Sequence, residues 1–281
     1  MSEATQTATA GAARSAGRAW AALARFAVVS AVTGKRSYLV CVLLCLPAVL
    51  GTIIAVSGGV ETAEQNAAVY WGITLFVSLT TAVPLAAMLA CSGLFHDEAS
   101  DGTLVYLLTR RLGRARVFLA KLVGILAALC LVGGVAQLVF VAVIAAGRGL
   151  PADEKLPAVL GGCLLVALAC VTFGAIFAAI GMIFRKPMAV AVSYMVIFEW
   201  FVASLPLDVC EISVSYQLRC LLYDLTESRA VTNLLNEVLP EEFATGASSA
   251  AVLAVTVAIA VAVAALLAAG REFTRAHEEG T

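Results

Sequence analysis

The sequence predicts an all-α polytopic membrane protein, with six transmembrane helices behind an amino-terminal helix that lies in the membrane interface. Three observations predict it. Of the 281 residues, 62% are hydrophobic and 13% charged, against roughly 45–50% and about 25% in soluble domains. Such a chain cannot cover itself with polar surface. It holds several apolar runs of about 20 residues, the length that crosses a hydrocarbon core of roughly 30 Å. Its lysines and arginines gather in alternate connectors, the asymmetry that orients membrane helices.

Residues 1–12 are rich in Ala, Thr and Ser and read as a disordered cytoplasmic tail. Residues 13–37 read as an interfacial amphipathic helix. On a helical wheel Arg14, Arg18, Arg25 and Arg36 fall within about 40° of one another, opposite Trp20, Leu23, Phe26 and Ala27. That arrangement puts cations toward anionic headgroups and apolar side chains into the acyl boundary. A single six-helix transmembrane domain then covers residues 38–270, with spans expected over 38–57, 68–94, 122–146, 158–184, 188–205 and 248–270.

Orientation follows from the cations between the spans. The amino-terminal segment carries five, and the connector 58–67 has two glutamates and none. The connector 95–121 has Arg110, Arg111, Arg114, Arg116 and Lys121. The turn at 185–187 is Arg-Lys-Pro, the connector 206–247 is dominated by carboxylates, and the tail 271–281 begins with Arg271. Both termini and the 95–121 segment are therefore expected in the cytoplasm, and 206–247 outside, in a plasma (inner) membrane. Within 206–247, Leu218, Leu221, Leu222 and Leu225 recur at helical spacing, so short helices dipping to the outer interface are expected.

Catalytic chemistry has no visible home. The Gly-Lys pair of TGKRS at 33–37 lacks the upstream glycine of a phosphate-binding loop. There is no HExxH, GxSxG or helix-opening GxGxxG, and no basic face of the kind that binds nucleic acid. Cys41, Cys45, Cys91, Cys130, Cys163 and Cys170 sit in apolar runs and read as small buried hydrophobes. No metal site is expected, because Cys41 and Cys45 share a helix face without a His or carboxylate beside them. Cys210 and Cys220 fall in the outer connector, where an oxidising compartment permits a disulfide between them.

Two polar residues in apolar runs stand out, since ionisable and amide groups at membrane depth are functional candidates. Glu199, in MVIFEWF, has two readings: a gate or cargo contact, or a glutamate bonded internally near the outer headgroups. Gln137 is expected to bond between helices, and Gly133-Gly134 and Gly161-Gly162 to let helices approach closely.

The charge is densest in FHDEASDGTLVYLLTRRLGRARVFLAKLVG, residues 95–124. Gly102 permits a turn out of the second span, and Thr103 or Asp101 can cap a following helix. Leu104, Leu107 and Leu108 make an i, i+3, i+4 apolar stripe, which Gly113 ends. Lys121 is placed to snorkel where the third span begins. A glutamate four residues before Gly-Thr-Leu, then Leu-Leu, a small-Arg step and a closing lysine, resembles the cytoplasmic connector of ABC-2-type transporter permeases. Arg111 departs from that pattern, standing where the family often has proline.

The resemblance implies a type V exporter-like architecture: an elbow helix, six spans, and an extended external connector before the last. It also implies a permease subunit of an ABC exporter that binds no cofactor itself. ATP and Mg would belong to a separate nucleotide-binding subunit. That subunit would push on a coupling segment containing Glu98, Gly102, Thr103, Leu104, Leu107, Leu108, Arg114 and Lys121, and a second copy of the chain would complete the transport path. The alternative in the same fold is a non-transporting component that passes ATP-driven motion to an extracytoplasmic partner.

Overall fold

A computed structural model describes residues 35–57, 62–93, 114–147, 149–152, 154–184, 186–202, 208–226, 231–232 and 245–270. The tails 1–12 and 271–281, the interfacial segment as far as residue 34, and Glu98, Gly102, Thr103, Leu104, Leu107 and Leu108 lie outside the described residues. All regular structure among the described residues is helical: α1 (Lys35–Ser57), α2 (Ala63–Cys91), α3 (Arg114–Ala146), α4 (Lys155–Ile183), α5 (Pro187–Phe201), α6 (Val214–Thr226) and α7 (Gly246–Gly270). Five of these, all but α5 and α6, are long and apolar enough to cross a membrane. We call the face where α1 ends and α2 begins upper, and the face where α2 ends and α3 begins lower.

Helix α2 starts at a capping box: Thr62 Oγ1 accepts from the Gln65 amide at 3.3 Å, and the Thr62 amide donates to Gln65 Oε1 at 3.2 Å. From Ile73 to Ala82 it widens into π-helical turns. Pro84 follows two residues later, and its ring would crowd the carbonyl one α-turn back; the wide turns relieve that contact. Hydroxyls fill the loosened ladder, Thr80 Oγ1 donating to Leu75 O at 2.9 Å and Thr81 Oγ1 to Phe76 O at 3.2 Å.

Helix α3 corrects two sequence expectations. It starts at Arg114 and not near residue 122, so the last eight residues of the expected coupling segment belong to a 33-residue helix. About 50 Å long at 1.5 Å per residue, it outruns a hydrocarbon core of roughly 30 Å. Lys121 therefore lies two turns inside α3, buried at 4% exposure, and does not snorkel at a helix end.

Helix α4 is central, packing on α2, α3, α6 and α7. Glycines make that possible. A Cβ at Gly181 would come within 2.5 Å of the Ser92 carbonyl oxygen at the lower end of α2, and one at Gly162 would collide with the Tyr70 hydroxyl. Of the pair Gly133-Gly134, only Gly133 meets a neighbour, Val166 at 3.0 Å.

The fifth expected span, 188–205, falls on α5, which runs eight α-helical residues into seven π-helical ones. It buries a single stripe, Ala191, Met195 and Glu199, with Pro187, Val190 and Tyr194 half-buried and the other side chains exposed. A 3-10 turn (Asp208–Ile212) leads into α6, whose residues 214–222 are buried on every side. The outer connector was expected to dip to the interface; α6 instead packs inside the bundle against α4, α7 and the π-helical part of α2.

Candidate functional site

Glu199 is 1% exposed and accepts four hydrogen bonds. Its Oε1 takes the Tyr194 hydroxyl and the Val214 amide, both at 3.2 Å. Its Oε2 takes the Ser213 hydroxyl and the Ser215 amide, both at 3.0 Å. The amides are the first two of α6, donors that no residue within that helix can satisfy. A side chain from α5 thus caps α6 from 14 to 16 positions away, and sets a carboxylate against the positive end of its dipole.

Depth gives this contact its significance. Glu199 lies about 18 Å along α5 from its lower end, and Thr80 about 16 Å along α2 from its own. Arg219 on α6 reaches Thr80 Oγ1 at 3.4 Å and sits over the Phe76 ring at 5.8 Å from its centroid. Helix α6 therefore begins near mid-bundle. It rises to the upper face, where Thr226 meets Gly161 near the start of α4. It is a half-helix returned into the apolar interior.

Below its start, Gln217 Nε2 donates to Glu211 O at 2.6 Å, fastening the 3-10 turn to α6. Tyr216 packs in a small cluster with Cys210 and Cys220, both buried, and no disulfide joins the two. Arg219 is 8% exposed, and its Nε has no hydrogen-bond partner. Ser215, four residues earlier on the same helical face, is 1% exposed and its Oγ is also without a partner. The charge nearest in effect is that of Glu199, whose oxygens are already engaged.

Gln137 sits elsewhere, in the upper half of the bundle. Its Nε2 donates to the Tyr70 hydroxyl at 2.9 Å and to Thr74 Oγ1 at 3.2 Å, tying α3 to α2. Tyr70 passes its own proton to Ala158 O at 2.7 Å, and Trp71 Nε1 donates to Glu154 Oε2 at 2.8 Å. This network joins three helices and is separate from the surroundings of Glu199. Arg114 is the first residue of α3. Among the described residues no group of three or more His, Cys, Asp or Glu could hold a metal ion.

Sequence reading missed Arg219, Ser213, Ser215, Tyr194, Thr80 and Phe76 as members of one site. One signal was available: an arginine inside the leucine-rich QLRCLL is costly wherever that run is buried.

No curated protein matches the chain. The profile of a family described as ABC-2 family transporter protein matches residues 34–214, a stretch that takes in α1 to α5, the 3-10 turn and the capped start of α6. Apolar helices long enough to cross a membrane, a polar half-helix folded among them, and this match across more than half of the sequence lead to one assignment: the chain is a multi-pass membrane protein of the ABC-2 family of transporter proteins.

Proposed function

We propose that the chain is the permease subunit of an ABC exporter, with its lower face and both termini in the cytoplasm. A separate ATPase subunit, holding ATP and Mg, docks on the 95–121 segment, and two copies of the chain in the plasma membrane form the transport path between them. Alternating access at that interface follows from rocking of the two copies. The observation that best supports the reading is α6. A mid-depth half-helix fastened by polar contacts to α5 and α2 is a discrete, movable part in an otherwise apolar bundle. A purely structural membrane anchor has no use for so costly a feature.

The alternation of cationic connectors supports the orientation, and the resemblance of residues 95–124 to the family's coupling connector supports the docking site. The test is made on that connector in the complex of the full chain with its ATPase. Glu98→Lys or Leu107→Asp should leave membrane insertion and chain abundance unchanged while abolishing permease-stimulated ATP hydrolysis. Hydrolysis and export at wild-type rates in both variants would remove the coupling role.

A further inference from the structure

The arginine at mid-depth is left with its charge largely unspent. A guanidinium carries five N–H donors; among the described residues Arg219 makes one hydrogen bond, the 3.4 Å contact to Thr80 Oγ1, and its Nε makes none. Thr80 Oγ1 accepts that bond while donating its own proton to Leu75 O. Glu199 would be the natural partner, but its two oxygens are taken by four donors and no hydrogen bond joins it to Arg219. The negative charge of Glu199 is matched locally by the start of α6, whereas the positive charge of Arg219 has no such match. One turn away Ser215 Oγ is likewise buried and without a partner. Beside the guanidinium stands Phe76, 44% exposed on the outer surface of α2.

We infer that Arg219 and Ser215 form a binding site for the anionic group of an amphiphile, a phosphate or carboxylate head whose apolar part lies along the exposed surface that Phe76 shares. The guanidinium fork suits a two-oxygen anion, and the serine hydroxyl adds a third donor. Phe76 holds the guanidinium plane by its ring face. The head is either that of a resident membrane lipid or that of the transported molecule; the chemistry is the same. The inference deepens the permease reading only in its second form, and its first test needs no ATPase.

The probe is phosphatidylglycerol, with phosphatidylcholine as the zwitterionic control, bound to the purified full-length chain and read by native mass spectrometry. The wild type should retain phosphatidylglycerol in preference to phosphatidylcholine. Arg219→Gln should lower that retention about tenfold, the order expected for loss of one charge-assisted pair. Arg219→Lys should fall between the two, and Ser215→Ala should weaken retention a few-fold while changing the fold least. Thr80→Val, which removes the protein's own contact and leaves the charge, should retain the lipid fully. Equal retention of the two lipids by the wild type, or undiminished preference in Arg219→Gln and Ser215→Ala, overturns the inference. With the ATPase complex, release of the bound lipid on ATP hydrolysis identifies cargo and persistence identifies a resident lipid; both keep the site. Failure of the coupling variants above leaves this result standing, and the reverse also holds.

Discussion

Replacing Glu199 by Gln isolates the cap on α6, and its cost follows from the hydrogen-bond pattern. Each carboxylate oxygen accepts one hydroxyl and one backbone amide. Hydroxyls rotate and can accept from an amide NH2; backbone amides cannot. Whichever way the Gln side chain is turned, one of the Val214 and Ser215 amides faces another donor and loses its acceptor. A buried donor left unmade costs about 1–3 kcal/mol, and losing a charge at a partly buried helix terminus adds up to about 2 kcal/mol. A total of about 1–5 kcal/mol corresponds to a roughly 5- to 5000-fold rise in the population with the start of α6 released. Amide exchange at Val214 and Ser215, measured by mass spectrometry in lipid nanodiscs, reads that population, and maleimide labelling of the buried Cys210 and Cys220 provides a second reading. Protection and labelling that match the wild type in Glu199→Gln would refute the argument that the carboxylate holds α6 at mid-depth.

The remaining predictions concern close approaches around α4. Gly162→Ala should force Tyr70 away from Ala158 and break its bond with Gln137, at about 1–3 kcal/mol for overpacking; a wild-type melting temperature in detergent would contradict it. Gly181→Ala should cost more, since the added carbon meets the Ser92 backbone carbonyl, which has no rotamer to change; a folded yield equal to that of wild type would show that α2 and α4 are free to separate there.

Much of the membrane plan was legible. Apolar runs announce themselves by length, and α1, α2, α4 and α7 fall within a few residues of where those runs lie. Two features were not legible, for the same reason. Arg114, Arg116 and Lys121 read as connector charges, although α3 is already helical at Arg114 and buries Lys121. Leu218, Leu221, Leu222 and Leu225 read as one apolar stripe of a short interfacial helix, although α6 buries Ser215, Gln217 and Arg219 as well, throughout its first nine residues. In both cases the neighbours that enclose the polar group lie far away in sequence. Thr80 is 139 positions from Arg219, so nothing local records the contact. Glu199 was visible as a suspect, and it is bonded internally, though near mid-bundle and not at the outer end where that reading put it. Its partner, the start of another helix, is supplied only by the tertiary fold.

The contacts around α6 explain how so apolar a protein can hold a polar part in a defined place. Between apolar helices in lipid, packing gives little directional preference, because lipid tails replace protein side chains at small cost. Carboxylate contacts differ in kind. Glu199 of α5 holds the start of α6, and Asp224 near the end of α6 lies over Gly246, where the absence of a side chain lets the carboxylate approach the first turn of α7. An acid thus stands at the N-terminus of α6 and another beside that of α7, placements that the dipole favours. At the lower face Ser92, the first residue past the end of α2, donates to Met188 Sδ at 3.3 Å, so the helix that leads into residues 95–121 touches the foot of α5. Between that foot and α6 lie a short π-helical segment and one carboxylate. Proximity alone does not make coupling; the series is a coupling route only if releasing the Glu199 joint uncouples α6 from the lower face while leaving the apolar packing of α2, α3 and α4 intact.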